Sequence, residues 1–264
     1  MKIILYYQIA PILFMFSFFT GGCVSTYTLG TAVVPHLEKA GDWDLMVDAR
    51  NLQISSAITK DLAVNLHAHY KKGIVDFWVL DTELGVSKRL ETAVGAYNIP
   101  LSPSVRMAIW GGGGFGDLKT YFYSDRKRIY DQRVPLRRLF VQPSLTYTFT
   151  PPVHWVRWKN YGLLSDLIAR ATLSLEVAQI RAGDAQQDCD PVLNSYCTPV
   201  EKGGSFIHTE TAFTLKIGNN RRGVFGQIKT SDRLGTDPYE YQEELTKTWN
   251  PLLIQGGLYL NFGR

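Results

Sequence analysis

His67 and His69 are the residues of this chain whose type and spacing come closest to catalytic chemistry. A histidine beside a carboxylate can act as a general base, and Asp81 and Glu83 follow on the next predicted strand. Such a base needs a nucleophile within hydrogen-bond reach, and no Gly-x-Ser-x-Gly turn supplies a serine. We therefore predict no catalytic residues and no enzymatic activity.

The same two histidines share one strand face and could bind a metal ion through their imidazoles. No third ligand at a diagnostic spacing accompanies them, so we predict no metal site and no cofactor. The run Gly111–Gly114 lies on a predicted strand instead of a strand-to-helix turn, which excludes a phosphate-binding loop. It indicates a bulge, or a place where bulky interior side chains need room.

The cysteines indicate an exported protein. Cys189 and Cys197 bracket a polar segment with a turn-forming proline and asparagine, and an oxidising compartment would let them form a disulfide. Two free thiols in a cytosolic protein are the alternative. Cys23 is left over, and the small residues Thr20–Gly22 before it resemble the lipobox of bacterial lipoproteins, in which that cysteine is lipidated. We therefore predict lipidation of Cys23.

Residues 1–22 have the pattern of a secretory signal peptide, because Lys2 precedes the apolar run Ile3–Phe19. A membrane-anchoring helix is the alternative, but the run is shorter than the roughly 20 residues that span a bilayer, and it contains Pro11. After residue 23 no stretch reaches about 18 consecutive apolar residues, so no membrane-spanning helix is predicted.

Composition narrows the functional classes. Of 264 residues, 45% are hydrophobic and 20% are charged, and 28 Lys and Arg against 24 Asp and Glu give a net charge of +4. These values exclude a disordered or collagen-like chain and give no indication of nucleic-acid binding. The length suits one large domain or two small ones.

Alternation of apolar and polar residues dominates the chain after its N-terminal segment. Every second residue from Leu62 to Tyr70 is apolar, and the residues between them are mostly polar. Leu139–Phe149 repeats the pattern, and Pro143 within it predicts a bulge. Strands of about nine residues or more match tilted membrane strands.

Eight further segments follow the same rule, which predicts ten strands in total. They are Asp44–Asp48, Leu52–Thr59, Trp78–Ser87, Val105–Trp110, Ala171–Ala178, Ile207–Ile217, Val224–Thr230 and Leu252–Phe262. We predict an all-β fold: an antiparallel transmembrane β-barrel of about ten strands, with eight or twelve as alternatives. The barrel domain occupies 42–264, and 23–41 forms an N-terminal tether.

The predicted connections differ between the two ends of the barrel. The tight turns are 59–61 and 218–223, and the long polar segments are 117–137, 183–204 and 232–250. Short turns at one end and long loops at the other are typical of outer-membrane barrels. Two longer connections fall on the short side: 151–167, an aromatic and basic segment suited to the membrane interface, and 89–104, which is alternatively the true fourth strand.

Several motifs lie between residues 20 and 118 and at the C-terminus. They are Gly22-Cys23, Val34-Pro35, Leu37–Asp42, the strand-turn-strand Leu52–Tyr70, Glu83–Val86, Ile109–Gly116 and Gly256–Phe262. Together they resemble small outer-membrane β-barrel proteins or lipoproteins of Bacteroidetes. The resemblance implies location and fold, and it implies no particular activity.

Six charged residues point into the barrel on this register. They are Asp81, Glu83, Arg106, Glu176, Glu210 and Lys216. A ten-stranded barrel is only slightly wider than an eight-stranded one, whose interior is filled by side chains. We therefore predict a polar plug of ion pairs, with a narrow conduction path or a small-ligand cavity as the alternative.

The leading functional hypothesis is a non-enzymatic protein of the bacterial outer membrane. It has a structural role or binds a partner through long extracellular loops, as an accessory subunit of a larger outer-membrane complex. Its predicted partners are outer-membrane lipids and such a protein, and not nucleic acid. A narrow transport or small-ligand-binding barrel is the runner-up, and a lipid-modifying outer-membrane enzyme ranks third.

Overall fold

The computed structural model describes residues 32–77, 81–124, 127–150, 168–183, 186–189, 204–234 and 252–263. Eleven strands lie in these ranges: β1 Trp43–Asp48, β2 Asn51–Ala57, β3 Leu62–Phe77, β4 Asp81–Pro100, β5 Val105–Ser124, β6 Lys127–Phe149, β7 Ile168–Ala182, β8 Gln186–Cys189, β9 Ser205–Gly218, β10 Arg222–Leu234 and β11 Leu252–Phe262. None of the described residues belongs to a helix long and apolar enough to cross a membrane.

Ten of these strands form a closed ring. Neighbours pair antiparallel in the order β1–β2–β3–β4–β5–β6–β7–β9–β10–β11, and β1 pairs with β11 to close the ring. Trp43 lies opposite Phe262, so the first and last strands begin and end on the same side. The short β8 continues the line of β7 along β6 at the loop end, where Arg133 lies opposite Gln186. The prediction of an all-β, antiparallel, ten-stranded barrel is confirmed.

Alternation along the strands separates an apolar outer face from a polar interior. On β7, Glu176 is 3% exposed, whereas Leu175 and Val177 are 48% and 43% exposed. Every ring strand contributes to an outward apolar belt, represented from β1 to β11 by Val47, Leu52, Leu66, Val94, Ile109, Leu145, Leu175, Phe213, Ile228 and Leu258. A water-soluble protein buries most such side chains, so this arrangement is inverted.

The two ends of the barrel carry different connections. The turn end holds 58–61, 101–104, 150–167 and 219–221, and the loop end holds 49–50, 78–80, 125–126, 183–204 and 235–251. At the turn end, the Asn219 side chain accepts hydrogen bonds from the N–H groups of Arg221 and Arg222 at 2.9 and 2.8 Å, which fixes that turn. The predicted tight turns at 59–61 and 218–223 are confirmed.

The fourth strand is longer than predicted. The sequence predicts a strand at Trp78–Ser87 and a connection at 89–104, but β4 runs from Asp81 to Pro100 and includes parts of both. The alternative, in which 89–104 contains a strand, is correct as far as Pro100. The signal weakens from Ala93 onward because both faces are apolar there: Ala93 is buried and its neighbour Val94 is 51% exposed.

The predicted loop at 117–137 is also wrong, since these residues continue the β5–β6 ladder as far as Ser124 opposite Lys127. We call residues 117–124 and 127–137 the loop-end wall. Within it Leu136 is buried, whereas Arg137 beside it is exposed. The apolar side chains therefore face inward here, the reverse of the belt. The strands continue without a break, but the apolar residues change from the outward to the inward face where the wall begins.

Neither Pro143 nor the glycine run forms the predicted bulge. β5 and β6 keep an unbroken register past Ile109 opposite Pro143 and on to Phe122. The alternative prediction for the glycines, room for a bulky interior side chain, fits Gly112, because a Cβ there would lie 2.8 Å from Cζ of Phe140.

Candidate functional site

The lumen is filled at three levels, and β6 contributes to each. From the turn end to the loop end its inward side chains include Phe140, Arg138 and Leu136, which are 6%, 4% and 6% exposed. Phe140 packs in an apolar cluster with Trp110, and Leu136 packs in a second apolar cluster near the loop end. Arg138 lies between these clusters, in a set of charges.

Six charged side chains from five strands form this central charge cluster. They are Arg89 and Glu91 on β4, Arg138 on β6, Glu176 on β7, Glu210 on β9 and Lys229 on β10, each at most 6% exposed. An unpaired charge at this depth is strongly unfavourable. Three cations and three carboxylates balance, so the cluster carries no net charge with every member ionised.

Arg138 joins the cluster across the lumen. Its Nη1 donates to Oε1 of Glu91 at 2.8 Å, and its Nη2 donates to Oε2 of Glu210 at 3.3 Å. The same Nη2 also contacts Glu176. Lys229 completes the network, because its Nζ lies 3.5 Å from Oε2 of Glu176 and contacts Glu210. Side chains from five strands are thus held in one network of ion pairs.

His67 and His69 are both buried and face the lumen from β3. Oδ1 of Asn51 lies 3.0 Å from Nε2 of His67 and 2.8 Å from Nδ1 of His69. Nδ1 of His67 lies 3.3 Å from Oε2 of Glu91. Both ring nitrogens of His67 therefore have partners inside the lumen.

Glu176, His208 and Glu210 are the described residues that could hold a metal ion, since one ligand atom from each lies within 4.8 Å of the others. Nε2 of His208 is 2.6 Å from Oε1 of Glu210. The two carboxylates also bind Arg138 and Lys229. A divalent ion would have to displace both cations, so the geometry fits an ion-pair network better than a metal centre.

Residues 32–38, which precede β1, lie inside the barrel and form a turn-end plug. Ala32 and Val33 are 1% and 3% exposed. Ala32 donates its N–H to Oε1 of Gln227 at 3.1 Å. Val33 donates to Oε1 of Gln142 at 3.0 Å and accepts from Nε2 of the same amide at 2.8 Å. Side chains of the barrel strands thus form hydrogen bonds with backbone groups of the plug, as a neighbouring strand would.

Charged residues hold the other part of the plug. The N–H of His36 donates to Oδ2 of Asp44 at 2.6 Å, and Arg170 Nη2 lies 2.8 Å from Nε2 of His36. That nitrogen is also 3.2 Å from Glu38. Burial lowers the pKa of His36, so we assign Nε2 as the acceptor from Arg170.

Three of the six predicted lumen charges are buried inside the barrel. Glu176 and Glu210 belong to the central charge cluster. Lys216 lies at a different level near the turn end, where its Nζ is 2.9 Å from Oδ2 of Asp44.

Of the other three, one is exposed and two have side chains that the structure does not describe. Arg106 is exposed at the turn end and contacts Asn98. Asp81 and Glu83 lie on β4 near the loop end, and their side chains are outside the described ones.

The predicted modifications fall outside the described residues. Cys189 ends β8 opposite Tyr130, but its side chain is not described. Cys23, Cys197, the signal peptide 1–22 and the aromatic segment 151–167 also lie outside. Lipidation and the disulfide therefore stay predictions.

Sequence reasoning missed four members of the cluster and the plug. Arg89 and Glu91 lie in the wrongly predicted connection, and Arg138 lies one residue before the predicted sixth strand. Lys229 lies within the predicted ninth strand but was not singled out. The alternation of the predicted strand Leu139–Phe149 continues to Arg138, and this pattern could have predicted that Arg138 points inward. For the plug, the apolar pair Val33-Val34 is unusual in a tether exposed to water.

No family model matches the chain, and no curated protein matches it by sequence. Function therefore has to be argued from the geometry of the barrel.

Proposed function

We propose that this chain is a non-enzymatic, non-conducting β-barrel protein of the bacterial outer membrane that binds a partner at its loop end. The apolar belt carries the proposal. All ten ring strands expose at least one large apolar side chain by more than a third of its surface. An unbroken apolar surface of this kind requires a non-aqueous environment, which lipid supplies.

The dimensions of the belt match a bilayer. On β6 it extends from Leu139 to Phe149, ten steps of about 3.3 Å, or roughly 33 Å along the strand. A strand tilt of about 40° reduces this to roughly 25 Å along the barrel axis, the height of the apolar band of outer-membrane barrels.

Exposed aromatic side chains mark both edges of the belt. Trp43, Tyr147 and Phe262 lie near the turn end and are 50%, 51% and 57% exposed. Tyr70 and Phe115 lie near the loop end and are 52% and 66% exposed. Aromatic girdles at both membrane interfaces are typical of transmembrane barrels.

The filled lumen supports a non-conducting role. The central charge cluster crosses it, and the turn-end plug and the loop-end apolar cluster lie on either side. The loop end supports a partner-binding role, because the wall projects there beyond the belt and the connections 183–204 and 235–251 begin there. Connecting segments at this end of a rigid barrel would be placed to contact a protein, a glycan or a surface layer.

Cell fractionation and gel migration test the membrane part. The protein should partition with the outer membrane, need detergent for solubility, and migrate differently when heated, as folded barrels do. Protein that stays monomeric and soluble without detergent would refute the proposal. Planar-bilayer recordings should show no steady channels, and a photo-crosslinker placed at the exposed Ser205 should yield a discrete adduct on intact cells.

A small-ligand-binding barrel is the second candidate. A cavity of about 140 Å³ lies between the turn-end plug and the barrel strands, lined in part by Glu38, Arg106 and Arg170. Its two arginines outnumber its one carboxylate, which would suit a small anion. Calorimetric titration of the folded protein with small carboxylates tests this candidate.

A further inference from the structure

A groove of about 780 Å³ crosses the outer face of the barrel at the loop-end edge of the belt. Leu90 on β4 and Leu139 on β6 form its sides, and Gly113 on β5 lies between them. Arg137 and Arg181 line the part nearest the loop end. The groove is therefore apolar toward the middle of the belt and cationic at its edge.

A missing side chain on β5 opens the groove. Gly113 lies between Thr92 on β4 and Leu139 on β6, and all three residues line the groove. A Cβ added at Gly113 would lie 2.8 Å from Cδ2 of Leu139. Phe115 and Leu139 beside it are 66% and 65% exposed, the highest values among the large apolar side chains that the structure describes.

The two arginines stand directly opposite each other on β6 and β7. Like charges in this position repel, because their Cβ atoms are only about 5 Å apart. Among the described side chains, none forms an ion pair or a hydrogen bond with Arg137 or Arg181. Asp117, on the same face of β5, binds Arg133 at 2.7 Å instead. An anion between the arginines would relieve their repulsion.

The occupant must be both anionic and apolar. A phosphate group accepts paired hydrogen bonds from guanidinium groups, and an acyl chain can cover the apolar part of the groove. Free phosphate would leave the leucine sides exposed, and an uncharged lipid would leave the arginines facing each other. The charge and the apolar surface of the groove are complementary to one molecule that carries both groups.

We propose that the groove binds a phosphorylated lipid of the leaflet at the loop end, with its phosphate between Arg137 and Arg181 and one acyl chain over Gly113. The inference rests on the proposed function, since a membrane supplies the acyl chain. With the loop end outside the cell, the lipid is a phosphorylated glycolipid of the outer leaflet.

The test titrates diphosphoryl lipid A into folded full-length protein in maltoside micelles and counts complexes by native mass spectrometry. The variant Arg137→Gln/Arg181→Gln should bind about tenfold or more weakly, because it loses charged hydrogen bonds to the phosphate. The matched control, Arg221→Gln/Arg222→Gln, removes two exposed arginines at the turn end and should bind within about twofold of the parent. Equal affinity in the two variants would overturn the proposal.

A second variant tests the acyl chain. Thr92→Trp puts a large side chain into the groove from β4 and should weaken lipid binding several-fold; Thr92 is exposed, so the barrel interior is left unchanged. Inorganic phosphate at millimolar concentration should not displace the lipid, and displacement would identify a free-anion site instead. Heat-modifiable migration of each variant shows whether the barrel has folded. If a folded arginine variant binds lipid A as tightly as the parent, only this inference is contradicted. If the protein never enters micelles, the proposed function is contradicted.

Discussion

The apolar belt and the loop-end wall lie on the same strands but have opposite patterns. In the belt, β6 exposes Leu139 and Leu145 and buries Arg138. In the wall, it exposes Arg137 and buries Leu136. Apolar side chains face whichever side excludes water. The comparison therefore locates a change of surroundings on the outside of the barrel, at the level of Arg137, and the proposed function makes this level the edge of the membrane.

The interior of the belt should be the most sensitive region. Arg138→Met would leave three carboxylates facing two cations, so the free energy of unfolding should fall by roughly 3–5 kcal/mol. Urea titration in lipid vesicles measures it. The control is Arg137→Met, a change at the adjacent outward residue, which should have little effect. Similar losses in both variants would contradict the assignment of inward and outward faces.

The exterior of the belt should come next. Leu145→Arg places a cation on the lipid face, where it should cost roughly 2–4 kcal/mol. Ser144→Glu points inward into the cavity of about 140 Å³ that Ser144 lines with Arg106 and Arg170, and it should cost less. Heat-modifiable migration after refolding in detergent compares the folded fractions. A greater loss from Ser144→Glu would argue against a lipid-facing belt.

The interior of the wall should respond like the core of a soluble protein. Leu136→Ala removes packing from the loop-end apolar cluster and should cost roughly 2–3 kcal/mol in free energy of unfolding. Leu139→Ala, on the outward face of the belt, should change it by much less, because lipid can occupy the vacated space. If Leu139→Ala is the more damaging substitution in urea titrations, the apolar residues do not change from the outward to the inward face at the wall.

The exterior of the wall should be the least sensitive. Asp117→Asn breaks the exposed ion pair with Arg133, which should cost less than about 1 kcal/mol and vanish in high salt. Glu91→Gln makes the same chemical change inside the central charge cluster and should cost more at every salt concentration. Equal, salt-independent effects would mean that the wall is not exposed to water.

The sequence predicted the fold where the two faces of a strand differ in polarity. Leu62–Tyr70 and Leu139–Phe149 have lipid-type side chains on one face and polar ones on the other, and both are strands. The prediction failed at 89–104, where Ala93 and Val94 make both faces apolar, and at 117–137, where the apolar face changes sides. The backbone hydrogen bonds of the sheet continue through both segments, but they do not depend on side-chain type and therefore produce no pattern in the sequence.

The site was less predictable than the fold. Alternation was enough to predict that Glu176 and Glu210 point inward, but not that both meet Arg138, because their pairing depends on how far each strand is shifted along its neighbour. The plug was harder still. Its backbone partners, Gln142 and Gln227, lie 109 and 195 residues away along the chain, and no local pattern encodes such a contact.

The central charge cluster also bears on the order of assembly. Its members are spread along the sequence from β4 to β10, with Lys229 the last to be reached. A sheet that stops at β9 holds three carboxylates, Glu91, Glu176 and Glu210, but only two cations. This incomplete sheet carries one unpaired negative charge, which Lys229 neutralises when β10 is added. The cluster therefore stabilises the complete barrel relative to a smaller barrel that closes without β10.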